Sequence, residues 1–80
     1  MPTVLRIKGF RFFFYSEEGN EPIHIHIAKG NGEAKVWLEP IIKPNYFNNF
    51  KAKQQREIIE LITKNRFLLI RKWYEYFKNK

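Results

Sequence analysis

The run HIHIAKGNGEAKVWLE, residues 24–39, alternates apolar and polar side chains on both sides of a glycine-asparagine-glycine break. Strict alternation of this kind is the signature of a half-buried strand, and two such runs across a short turn make a hairpin. Asn31-Gly32 is the pair that a two-residue type I′ turn prefers, because both central positions need positive φ. With those turn residues, Ile27 pairs with Val36, Ile25 with Leu38, Ala28 with Lys35, His26 with Trp37 and His24 with Glu39. One face is then aliphatic, and the other carries imidazoles, a lysine, an indole and a carboxylate.

An earlier pair of runs, residues 3–7 and 10–15, folds back in the same way across Lys8-Gly9. Its register sets Ile7 against Phe10, Leu5 against Phe12 and Thr3 against Phe14 on one side, with Arg6 against Arg11 and Val4 against Phe13 on the other. Residues 8–15, KGFRFFFY, match an RNA-recognition signature at Lys8, Gly9, Phe10, Phe12 and Tyr15. In that fold the signature aromatics stack on bases from the exposed face of a sheet. Parity here puts Phe10 and Phe12 with Leu5 and Ile7, the side that needs a helix over it. The stretch reads as core.

From about Ala52 a helical pattern runs to residue 78, with Ile58, Ile62, Leu69, Trp73 and Tyr76 in one stripe. Lys53, Glu57, Glu60, Lys64, Arg71, Glu75 and Lys78 lie opposite. The expected fold is α+β: a four-stranded antiparallel sheet from two hairpins, covered on one face by a long C-terminal helix, or by two short helices if the chain breaks near Thr63-Lys64-Asn65. Residues 1–80 read as a single domain, with 1–40 sheet, 41–50 an irregular connection and 51–80 helical. Beyond Arg66 the apolar residues spread around more than half of the helix. A second chain over Phe67, Ile70, Tyr74 and Phe77 would cover the remainder, and a homodimer or a heteromer satisfies that need equally.

Eighty residues bury a core only marginally, and without cysteine no disulfide or thiolate metal site helps. A reducing, cytoplasmic setting follows as the expectation, since no apolar run reaches the length of a membrane span. The net charge of +7 is uneven. Residues 1–50 hold six Lys or Arg against five Glu, a balance of +1, whereas residues 51–80 hold nine against three, a balance of +6. Such an excess suits a polyanion, but the alternating signs along the helix also suit a solvated face.

The face away from the helix gathers Arg6, Arg11, Phe13, Tyr15, His24, His26, Lys35, Trp37 and Glu39. Two arginines directly opposite each other repel, so the Arg6 and Arg11 pair asks for an anion: Glu39, Glu21 or a phosphate from outside. His24 and His26 stand roughly 6–7 Å apart along one strand face. The pair reaches one zinc ion only with a third ligand, for which Glu21, Glu33 and Glu39 are candidates, so zinc is a minor option and no other cofactor is expected. Without metal, His24 and His26 beside Tyr15 are candidate proton carriers for cleavage of a phosphodiester by its own 2′-hydroxyl. Arg6, Arg11 and Lys35 would hold the phosphate, and Phe13, Tyr15 and Trp37 would stack on bases. A purely structural reading competes, with two exposed strand histidines bonded to Glu39 and stacked on Trp37.

The segments MPTVLRIKGFRFFFYS, EPIHIHI, GEAKVWL and NRFLLIRKWYEYF together resemble a family of small prokaryotic proteins, the domain of unknown function DUF4160. The resemblance spans nearly the whole chain, with E-P-x-H-x-H and G-E-A-K-x-W as its specific elements. Matched positions are Arg6, Arg11, Phe13, Tyr15, Glu21, Pro22, His24, His26, Glu33, Lys35 and Trp37. Members are often encoded beside a second small protein in pairs that look like toxin and antitoxin modules. The resemblance therefore implies a toxin-like or regulatory component of a two-gene module that engages RNA or a cognate protein. A non-catalytic protein interaction module is the alternative, and a ribonuclease the third reading.

Overall fold

The computed structural model describes residues 3–15 and 20–77. Five strands, β1 (Thr3–Ile7), β2 (Phe10–Phe13), β3 (His24–Lys29), β4 (Gly32–Trp37) and β5 (Lys43–Asn48), precede two helices, α1 (Ala52–Lys64) and α2 (Arg66–Phe77). The strands form one antiparallel meander in chain order. The sheet thus has five strands where the sequence pattern suggested four. Residues 43–48, expected to be irregular, lie along β4 with Phe47 opposite Ala34 and Tyr46 opposite Lys35. A register shift next to Pro44 breaks the alternation that would have revealed β5, and an edge is where a sheet tolerates proline.

The first hairpin turns at Lys8 and Gly9, with φ of 54° and 83°, as a type I′ turn requires. Ile7 meets Phe10, Arg6 meets Arg11 and Leu5 meets Phe12, in agreement with the sequence pattern. Beyond Leu5 the register slips. Thr3 pairs with Phe13 rather than Phe14, and Val4 does not pair with Phe13.

The second hairpin turns one residue earlier than expected, at Gly30-Asn31. Gly30 has φ of 57° and Lys29 pairs with Gly32. Gly32 opens β4 and serves a packing role, since a Cβ there would lie 2.4 Å from the Phe50 ring. The pairing consequently moves by two residues: His24 faces Trp37, Ile25 faces Val36, His26 faces Lys35, Ile27 faces Ala34 and Ala28 faces Glu33. A shift of two preserves parity, so each side chain keeps its expected face.

The helices cover the aliphatic face. Phe10, Phe12, Phe14, Ile25, Ile27, Val36 and Leu38 are buried with Ile58, Leu61, Ile62, Leu69 and Trp73 in one core. Tyr76, expected in the buried stripe, is partly buried against it. The helical region breaks at Asn65, whose side-chain amide donates to the Leu61 carbonyl at 2.8 Å and whose own carbonyl accepts from the Leu69 N–H at 2.9 Å. An amide that competes for backbone groups both ends α1 and opens α2. Arg66 fixes the new direction by donating to the carbonyls of Leu38 and Pro40, with its guanidinium 3.6 Å from Glu39. Among the described residues no helix is long and apolar enough to cross a membrane.

Candidate functional site

The face of the sheet turned away from the helices is laid out in rows across the strands. One row runs Arg6, Arg11, Ala28, Glu33, Asn48; the next runs Phe13, His26, Lys35, Tyr46; a third holds His24, Trp37 and Lys43. The sheet therefore brings Arg6, Arg11, Phe13, His24, His26, Lys35 and Trp37 onto one surface. Tyr15 follows β2 and Glu21 precedes β3.

That surface is not open at its centre. His24 is 0% and His26 3% exposed, as buried as Ile25 and Ile27 on the other side, and Phe13 is 2% exposed. Rings account for much of the cover. His26 stacks on Phe13 with centroids 5.5 Å apart, and the Tyr15 ring stands edge-on to it at 4.6 Å. His24 lies 5.2 Å from His26, 5.3 Å from Trp37 and 5.0 Å from Trp73, which reaches it from α2. The two imidazoles sit in an aromatic box.

Long polar side chains lie against that box. The Arg11 guanidinium lies 4.4 Å from the centroid of the Phe13 ring, and the Lys35 ammonium 4.5 Å from that of Trp37. Both are cation–π contacts in which an amphipathic stem spreads over apolar surface. Both ends of the β2–β3 connection tie down onto this face. The Tyr15 hydroxyl donates to Glu33 Oε2 at 3.2 Å, and Lys35 Nζ donates to Glu21 Oε1 at 2.7 Å. His24 Nδ1 lies 2.8 Å from the Pro22 carbonyl oxygen; because a carbonyl only accepts, Nδ1 carries the proton.

These contacts redistribute the acidic residues that the sequence offered to the histidines and arginines. Glu21 serves Lys35, Glu33 serves Tyr15, and Glu39 serves Arg66 across the β4–β5 connection rather than His24. Among the described residues no group of three or more His, Asp or Glu side chains converges as a metal site. Two imidazoles fall short of the donor set that zinc takes.

The residues expected to meet a partner divide. Ile70 and Phe77 are partly buried against the core, and Phe77 packs on Trp73 at 4.3 Å. Phe67, 81% exposed, and Tyr74, 57% exposed, stay outside. Sequence reasoning placed Trp73 in the core and missed its second contact, with His24. No local spacing signals it, because Trp73 reaches His24 only once α2 has changed direction at Asn65.

A family model described as Domain of unknown function (DUF4160) matches residues 9–74. Comparison with curated proteins gave no match, and comparison with solved structures gave none either.

Proposed function

We propose that this chain, which belongs to the family of the domain of unknown function DUF4160, is the non-catalytic, protein-binding component of a two-gene module of the toxin and antitoxin type. Its docking surface is the outer side of α2, and its partner is an acidic helical segment of the neighbouring gene's product. The observation that carries this reading is the exposure of Phe67 and Tyr74, seven residues and about two helical turns apart on one side of α2. Aromatic anchors at this spacing suit a helix partner, and such side chains dominate binding energy when a partner buries them. Exposed Arg71 lies between them at i+4 from Phe67, in a C-terminal segment whose balance is +6. That charge favours an acidic partner over a second copy of the chain.

The burial of His24 and His26 supports reading them as part of the packing rather than as proton carriers for RNA cleavage. The test is co-expression with the adjacent open reading frame, with solution mass, growth and RNA integrity recorded together. The chain alone is expected at 9.8 kDa and heavier with its neighbour. Phe67→Ala with Tyr74→Ala should lose the complex, each change costing about 2 kcal/mol or more of binding. Growth arrest with degraded RNA that disappears in a folded His24→Ala, His26→Ala variant would contradict this reading and restore the ribonuclease.

A further inference from the structure

The β1–β2 hairpin carries a cluster of positive charge beside the aromatic box and away from the α2 surface. Residues 1–16 contain Arg6, Lys8 and Arg11 and no acidic residue. Arg6 and Arg11 stand directly opposite each other. In a hairpin closed by a two-residue turn, the first pair, here Ile7 with Phe10, exchanges both backbone hydrogen bonds. The next pair is of the non-hydrogen-bonded kind, whose α-carbons approach to roughly 4.5 Å and whose side chains lie closest. Like charges at such a position destabilise a sheet unless something lies between them.

No carboxylate among the described residues lies within ion-pair distance of either guanidinium. Glu21 and Glu39, which the pattern offered as counter-ions, pair with Lys35 and Arg66 instead. Arg11 is held in place nonetheless. It lies over Phe13 at 4.4 Å and donates from Nη1 to the Thr3 hydroxyl at 3.3 Å. Ala28, next in the row, contributes only a methyl group there. Arg6 is exposed and able to swing towards the same point.

We propose that Arg6 and Arg11 form an oxyanion site that takes a phosphate group. A fixed guanidinium and a mobile one share its oxygens, and the bound anion replaces their mutual repulsion with two charge-assisted hydrogen-bonding contacts. The phosphate comes either free or as one unit of a phosphodiester strand, and the two sources share this chemistry.

Thermal unfolding of the full chain tests the site, with inorganic phosphate replacing chloride at constant ionic strength. Phosphate at ten times its dissociation constant multiplies the folding constant about eleven-fold, a rise of roughly 6–11 °C for a domain of this size. Arg6→Gln removes an exposed side chain and should fold. In chloride its midpoint should equal or exceed that of the wild type, because repulsion is relieved, and its response to phosphate should fall below about a third of the wild-type rise. Lys53→Gln, an equal loss of charge on α1, should keep the full rise. A second arm replaces phosphate with a short single-stranded oligonucleotide. An Arg6-dependent rise with inorganic phosphate identifies a free phosphate, and one seen only with the oligonucleotide identifies a phosphodiester. A wild-type midpoint flat in both arms, or an Arg6→Gln response equal to that of Lys53→Gln, overturns the site.

Discussion

The two faces of the sheet are equally dry at their centres and are kept dry by different means. On one, Ile25, Ile27 and Val36 lie beneath two helices in ordinary apolar packing. On the other, His24, His26 and Phe13 reach the same burial through rings and long charged stems, with Trp73 the described contact from the helices. Polarity of a face and its exposure are therefore separate properties. A row of histidines, arginines and aromatics that resembles an open reaction surface in one dimension is, in three, a layer of side chains folded over each other. The most exposed aromatic side chains among the described residues, Phe67 and Tyr74, lie on α2.

Substitutions on each side bring out the difference. Phe12→Ala, beneath the helices, should cost about 3–5 kcal/mol, a large fraction of the total stability of a small domain. Urea unfolding followed by circular dichroism should show a chain near or past its midpoint in buffer, and a loss below about 1 kcal/mol would mean that the core is loosely packed. His26→Ala should cost about 2 kcal/mol, because it removes a ring buried between Phe13 and Tyr15. An accessible histidine would change stability by less than about 0.5 kcal/mol, so this variant breaks the comparison if it is neutral.

Gly32→Ala should cost roughly 1–2 kcal/mol, since the new methyl group meets the Phe50 ring and forces it to move. An unchanged midpoint would show that Phe50 gives way freely. The smallest effect belongs to the tie across the histidine face. A double-mutant cycle on Glu21 and Lys35 should give a coupling of about 0.5 kcal/mol that falls as salt is raised, because Glu21 is half exposed. A coupling absent at low salt would remove the tie.

Much of this molecule is legible in its sequence because strand parity is robust. The turn at Lys8-Gly9 and the two faces of β3 and β4 follow from alternation and glycine placement, and the core stripe of the helices follows from the 3.6-residue period. The error of one residue in the second turn left every side chain on its expected face, and arose because Gly32 is required by Phe50 and not by the turn. β5 is hidden because Pro44 and the asparagines of residues 45–49 carry a turn-like composition, and the register shift against β4 breaks the alternation that marks a strand. Burial of the histidines was not legible. Alternation assigns a side chain to a face, but what covers the histidines includes Tyr15, Trp37 and Trp73, all three from outside β3.

Accessibility of the imidazoles can be measured directly. The chain has only two histidines, so carbethoxylation by diethyl pyrocarbonate, followed at 240 nm and mapped by mass spectrometry, reports on His24 and His26 alone. In the native protein both should react roughly ten-fold or more slowly than in the urea-unfolded chain, because reaction must wait for local opening. Native rates equal to those of the unfolded chain would contradict the sealed histidine pair and return the face to catalysis.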